Sequence, residues 1–396
     1  MVSFRYLRKS LTVELDYLVR NEGVRSDYFP LVKEKVFLAN ASVCPLPHPS
    51  VAAMQAFMID AASRGDQETV FPMQVYRETC QMGAQLLGCQ EDSISFLGPT
   101  SIGLSLVANG IAFKPGQNVV YCPDDYPSNA VVWMNLSKRG VEPRALVPKE
   151  LGQVTLELLE EVVDKDTALV ALTSAHFISG YRLEVDRIGA WLRERGILFC
   201  LDAIQTVGAL ATPVSKVDFL SADSHKWLLG PASAGLFYVH PDAQDCLEPS
   251  LLGWRNVVCP AFLTPDKVQF WPRGRRYEAG CTNFIGLIGL HASLKLLLDI
   301  GLANIEARVL EHTRFLRHHL LEKGYLLAGE DDRALSGITS FRKEGMELRQ
   351  LHQTLLEKDI HISLRQTRHD HQFWLRFSPH FYNTEAELER VLAFLP

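Results

Sequence analysis

The sequence predicts an α/β fold, with a mainly parallel seven-stranded sheet in a large domain and a smaller α+β domain at the C-terminal end. Two patterns carry that expectation. Short β-branched or aromatic runs alternate with helical periodicity through the first part of the chain, and the alternation stops near residue 284. At 396 residues and 47% hydrophobic content there is enough apolar sequence for two cores of unequal size.

The first 35 residues are helical in character and are expected to pack with the small domain. Their opening, MVSFRYLRKSLTVELDYLVR, carries Glu14 and Asp16 inside its apolar pattern and so lacks the unbroken apolar stretch of a signal peptide. No later stretch reaches the roughly 18 apolar residues of a membrane span, so a cytoplasmic location without a membrane partner is expected. Residues 36–283 form the expected large domain. Its strands are ISFL (94–97), NVVYC (118–122), RALV (144–147), ALVALT (168–173), ILFCL (197–201), DFLS (218–221) and GLFYV (235–239). Most are apolar nearly throughout, as strands buried on both faces are, and patterns such as TLELLEEVVD and DRIGAWLRERG supply the crossover helices. Residues 284–396 form the expected small domain: one or two long amphipathic helices, then ALSGITSFR and FWLRFS as strands.

Composition removes several functions. A net charge of −6 leaves no broad basic field, so no nucleic acid partner is expected. Eight cysteines (44, 80, 89, 122, 200, 246, 259 and 281) include no C-x-x-C pair, which fits reduced thiols better than a disulfide framework or a zinc site. His369 and His371 in RHDHQ have no further ligand in view, and no metal is expected.

Ligands of a parallel α/β sheet gather beyond the carboxyl ends of its strands. After ISFL, Thr100 and Ser101 open a helix, where unpaired N–H groups and two hydroxyls suit a phosphate as well as they suit ordinary capping. After ILFCL comes Asp202, with Gln205 one turn later; the carboxylate either caps the next segment or meets a partner in a pocket. Lys226 follows DFLS in an apolar setting. Taken alone it reads as a snorkelling lysine, whereas a buried one sheds its proton more readily and becomes a nucleophilic amine. In conjunction, an anion cradle, a carboxylate and an amine are what pyridoxal phosphate requires.

LDAIQTVGA and DFLSADSHKWLLGPASAGLFYV resemble the class V aminotransferase family of fold-type I pyridoxal-phosphate enzymes, which includes cysteine desulfurases, kynureninases and isopenicillin-N-epimerase-like proteins. VFLANASVCPLP, CPDDYPSNAVVW, RRYEAGCTNFIGL and LRFSPHFYNTEAELERVLAFL support it over most of the chain. The resemblance implies that Lys226 forms the aldimine and shuttles protons, that Asp202 pairs with the pyridinium nitrogen, and that Gln205 bonds the ring's phenolic oxygen. It further implies Thr100 and Ser101 at the phosphate, Tyr126 stacked on the ring, and His225 at the phosphate or in proton transfer. Arg365 and Arg376 would bind the substrate carboxylate as guanidinium forks, with Asn40 as a further pocket residue. The family catalyses at a two-fold interface, so a homodimer is expected, its 273–283 loop reaching the neighbour's cofactor.

Two departures stand out. Many relatives place a phosphate-binding serine where this chain has Asp223, which leaves Ser224 to take over that contact unless Asp223 itself faces a histidine, an arginine or a backbone nest. The family's Gly-Thr at the interface loop is Gly280-Cys281 here, so Thr282 or backbone N–H groups are the alternative contacts. A desulfurase needs a cysteine in the loop after the first arginine, and no cysteine follows Cys281; Phe177 also replaces an asparagine near the desulfurase substrate. The expected activity is therefore α-proton abstraction from a small amino acid, by transamination or racemisation. The alternative is a lyase of the kynureninase or C–S cleaving type, and a third reading is a ligand-binding homologue without turnover.

Overall fold

The computed structural model describes residues 14–329 and 331–396; residues 1–13 of the expected N-terminal segment lie outside the described residues. Strand β1 is Val36–Phe37. The large sheet contains β2 (Ile94–Leu97), β3 (Asn118–Tyr121), β4 (Glu142–Ala145), β5 (Thr167–Thr173), β6 (Leu198–Asp202), β7 (Phe219–Ala222) and β8 (Gly235–Val239), in the order β2-β8-β7-β6-β5-β3-β4. Strand β8 runs antiparallel to both its neighbours, and the remaining pairs are parallel. The sheet is thus mainly parallel with seven strands, as its apolar runs predict. Val119, Val120, Leu169, Phe199, Phe219 and Phe237 are wholly buried in it, because helices cover both faces.

One strand is displaced from its sequence position. RALV at 144–147 is expected to pair, yet the ladder takes Glu142–Ala145 opposite Asn118–Tyr121. This strand lies at the sheet's edge, where Pro143 lacks no needed donor and polar residues face water, so its polar start pairs and the apolar Leu146 and Val147 follow beyond it.

The apolar stretch after residue 284 folds as two helices, Phe284–Ile300 and Leu302–Glu322, bent by 82° at Gly301, whose φ of 90° few other residues adopt. The first packs on helices His48–Ser63 and Met73–Leu87, and its Leu287, Leu290, Leu294 and Leu297 join the large domain's core. Leu316 and Leu320 of the second helix belong to a separate core with Phe341, Leu375 and Phe377. Ile305 and Val309 of the second helix still belong to the first core, so the change from one core to the other falls within this helix, between Val309 and Leu316, later in the chain than the loss of strand periodicity.

The small antiparallel sheet has the order β12-β13-β10-β9, from β9 (Leu326–Leu327), β10 (Thr339–Arg342), β12 (Ser363–Gln366) and β13 (Phe373–Phe377). Strand β11 (Ile360–His361) pairs with β1 in parallel, so residues 36–37 attach to the small domain. Ahead of them Arg25, buried, meets Glu387 at 2.8 Å, and Phe29 stacks on Tyr382 with ring centroids 4.1 Å apart. All eight cysteines are free thiols. Among the described residues no single helix is long and apolar enough to cross a membrane.

Candidate active site

A cleft of about 390 Å³ opens at the carboxyl ends of the large sheet, within the roughly 300–1,000 Å³ of small-molecule sites. Thr100, Ser101, Tyr126, Asp202, Gln205, His225, Lys226, Arg365 and Arg376 all line it. Residues dispersed over 277 positions of sequence thus meet at one point.

Lys226 lies just past β7 and is 7% exposed. Burial drives its ammonium down to about 8, against the pull of Asp202; Arg376 and Arg365 add repulsion. Its Nζ stands 5.5 Å from the centroid of the Tyr126 ring. Asp202 ends β6. Desolvation raises its carboxyl to about 6, while the Ile204 N–H at Oδ1 (3.1 Å) and Lys226 hold it down. A buried carboxylate and a buried amine in one cleft favour a cationic ring nitrogen and a carbonyl carbon respectively.

Gln205 lies beneath them. The Trp227 indole N–H donates to its Oε1 at 3.1 Å, and its Nε2 donates to the Ala41 carbonyl at 3.3 Å, leaving a second amide proton for the cleft. At the opposite side of β7 the helix Thr100–Gly110 points its N-terminus into the cleft, and Ser101 Oγ donates to Ser128 Oγ at 2.8 Å. That helix lies hard against the sheet because Gly103 has no side chain: a Cβ there would be 2.4 Å from Ser221 Oγ.

The small domain contributes the arginines, from β12 and β13. Arg365 Nη2 and Arg376 Nη2 both donate to Ser42 Oγ, the latter at 2.7 Å, and Arg376 Nη1 reaches the Phe177 carbonyl at 2.5 Å. Arg376 is 1% exposed and its Nε has no partner among the described residues. Two guanidinium groups with only neutral acceptors make a place for a carboxylate.

Five residues expected at the site are placed otherwise. Asn40 is wholly buried, donating to the Ser378 carbonyl at 2.9 Å and accepting from the Tyr382 hydroxyl at 3.0 Å, so its amide is spent on the domain junction. Ser224 Oγ donates to the Pro231 carbonyl behind the cleft wall. Asp223 does not line the cleft; it faces His225, with Nδ1 to Oδ2 at 2.6 Å. Cys281 is exposed and Thr282 lies beside it, both away from this chain's own cleft. His369 pairs with Asp124 at 2.9 Å, and no group of three or more metal-ligating side chains occurs among the described residues.

Sequence reasoning missed Ser42, Ser128 and Asp125. Asp125 is 5% exposed; burial and the neighbouring Asp202 push its carboxyl to about 7, against hydrogen bonds from Asn129 and the Tyr126 N–H. Ser42 and Ser128 go unmarked because their partners lie on other elements, and Asp125, bonded locally to Tyr126 and Asn129, reads as an ordinary capping residue until the fold sets it near Asp202.

The family model for aminotransferase class V matches residues 36–391. The chain belongs to the class V aminotransferase family. A probable cysteine desulfurase of Methanothermobacter thermautotrophicus is 29% identical to it, over 94% of this chain and 96% of the relative. An uncharacterized aminotransferase, YcbU, of Bacillus subtilis is 26% identical over 92% and 94%. Among solved structures, the apo cysteine desulfurase of Thermococcus onnurineus is similar with a TM-score of 0.84 and 26% identity, covering 94% of this chain and 96% of that one. A C-DES variant with glycine linked to the PLP cofactor shares the fold, with a TM-score of 0.84 and 21% identity over 93% and 98%.

This class V member is a pyridoxal-phosphate-dependent enzyme. The cleft fits the group: a buried amine, a facing buried carboxylate whose charge burial disfavours until a cation arrives, and a helix N-terminus with two hydroxyls for an anion. When bound, the cofactor supplies an aldehyde that captures the substrate amine and a ring that accepts the electron pair left on Cα. The residues that would hold it are Asp202 at the ring nitrogen, Gln205 at the ring's edge, and Thr100 with Ser101 at the phosphate end. Arg365 and Arg376, whose guanidinium groups meet only neutral acceptors, would hold a substrate carboxylate and so orient the bonds at Cα. Lys226, lowered to about 8, would offer a neutral Nζ able to take a proton from the substrate.

Proposed function

We propose that this enzyme is a lyase that cleaves the Cβ–S bond of a sulfur-bearing amino acid and releases the sulfur to solvent. From sequence, α-proton abstraction with transamination stands first; the full-length relatives named as cysteine desulfurases draw the reading toward carbon–sulfur chemistry. The observation that carries the lyase reading is the loop after Arg365. Gln366–Gln372 contains no cysteine, and none of the described cleft residues is a thiol that would receive sulfur.

In the proposed reaction Nζ of Lys226 removes the α-proton, the C–H pair becomes the Cα–Cβ double bond, and the Cβ–S pair departs with sulfur as a thiolate. Water then converts the released enamine acid to a 2-oxo acid and ammonium, so no oxidant is needed. The test is to incubate the cofactor-loaded enzyme with cysteine, cystine and S-alkyl cysteines. Equal amounts of pyruvate, ammonium and the departing sulfur species (sulfide from cysteine, a persulfide from cystine, a thiol from an S-alkyl cysteine), with the cofactor spectrum restored, support the lyase. Stoichiometric conversion to pyridoxamine phosphate without thiol release refutes it in favour of transamination.

The enzyme is further proposed to act as a homodimer. Leu252, Phe262, Leu263 and Val268 are each more than 60% exposed, in the stretch leading to the 273–283 loop. Such a run of apolar side chains favours a partner surface. Sedimentation at two protein concentrations would give a two-chain mass; a single-chain mass throughout would overturn it.

A further inference from the structure

Asp223 is 3% exposed behind the cleft wall and takes no part in the chemistry derived above. Its carboxylate is bound on every side. Oδ1 accepts from the N–H groups of Ser224 at 2.9 Å and Ala234 at 3.2 Å, and Oδ2 accepts from Ser233 N–H at 3.1 Å while meeting His225 Nδ1. Ser233 adopts a left-handed φ of 63° as it presents that N–H. The backbone N–H of Asp223 donates to Thr100 Oγ1 at 3.0 Å. One residue therefore ties the His225 ring to the first residue of the helix whose N-terminus opens on the cleft.

The electrostatics agree with that geometry. Burial pushes the Asp223 carboxyl up, but His225 and the surrounding N–H groups outweigh it and hold the group below the usual carboxylate range. With Nδ1 on this carboxylate, the cleft-facing nitrogen of His225 is Nε2. The other charged groups sharing the cleft with the ring are Lys226, Asp202, Arg365 and Arg376. Cys44, whose N–H donates to the His225 carbonyl, has its thiol pushed up to about 12 by burial and is neutral.

We propose that Asp223 is a positioning residue for cofactor binding, acting through His225: it fixes the imidazole so that Nε2 points to the phosphate beside Thr100 and Ser101. The serine hydroxyl that many relatives offer the phosphate at this position is thereby replaced by a two-residue relay. An anion is tolerated so close to a phosphate because its charge is consumed by three N–H groups and the intervening ring.

The experiment compares equilibrium binding of pyridoxal phosphate and of pyridoxal, which lacks the phosphate, to the apoprotein. Wild type, D223N, H225Q and the double variant are measured. Each single variant should weaken pyridoxal phosphate about tenfold or more and leave pyridoxal within about twofold, and the double variant should be no weaker than H225Q. Equal weakening of both ligands, or a full additional loss from D223N on the H225Q background, would show that Asp223 only holds the loop and would overturn the proposal. Wild-type protein gives a second reading that no misfolded variant can spoil. The nitrogen-15 resonance of His225 Nε2 should shift with pyridoxal phosphate and hold still with pyridoxal; equal shifts, or none, refute the relay.

Discussion

At Lys226, burial and the facing Asp202 pull the ammonium in opposite directions, and burial prevails, taking it from 10.5 to about 8. Only the neutral amine attacks an aldehyde, so it becomes available as pH rises through about 8. Capture of pyridoxal phosphate by the apoprotein should accelerate by about tenfold per pH unit below that point and level off above it. Stopped-flow absorbance measures this, and a profile flat between roughly pH 6 and 8 would contradict it. Because Asp202 supports the charged form, D202N should move the profile to lower pH. The same variant should lower kcat by about 10- to 100-fold, since the ring nitrogen loses its ionic partner. For S42A, both guanidinium groups lose a common acceptor, and the expected result is a KM several-fold higher with kcat little changed. Lys226, Asp202, Gln205 and the two arginines were legible because their chemistry resides in residue type and strand-end position. Ser42 was not: its significance comes from arginines more than 300 residues away. Asn40 misled because a buried amide in the same segment serves the domain junction equally well.

The element whose N-terminus opens on the cleft is the helix Thr100–Gly110, and its distance from the sheet is set by the absent side chain at Gly103. In G103A the new methyl overlaps Ser221 Oγ and Cβ, so the helix must move outward, at a cost of about 1–3 kcal/mol of stability. Thermal denaturation of the apoprotein reads that cost, and cofactor affinity should fall with it; an unchanged melting temperature would mean the contact relaxes freely. Strands with two covered faces were the most legible elements, since their apolar runs leave no other placement. Edge strand β4 was less so, having only one neighbour to fix its register.

Across the whole molecule, the architecture was readable and the domain seam was not. Loss of strand periodicity at residue 284 is a change of element type, while the seam follows core membership, which a chiefly apolar helix such as Phe284–Ile300 does not disclose. Likewise the contribution of residues 14–38 to the small domain depends on Arg25 and Glu387, 362 positions apart. Arg25 donates to Glu387 and Glu22 and is 4% exposed, so R25M leaves Glu387 buried without its cation and should cost about 3–5 kcal/mol. Chemical denaturation would show it as a lowered midpoint; a loss below about 1 kcal/mol would place the pair among surface contacts.

Trp227 is wholly buried directly after Lys226, with its indole on Gln205 and its carbonyl accepting from His380 Nε2 at 3.0 Å. A side chain at Gly337 would strike that indole, which therefore occupies a notch in the C-terminal part of the chain. The residue that follows Lys226 is thus anchored to the same C-terminal part of the chain that carries Arg365 and Arg376. A change of the Trp227 side chain would therefore disturb the amide under the cleft and the seat in the C-terminal part together.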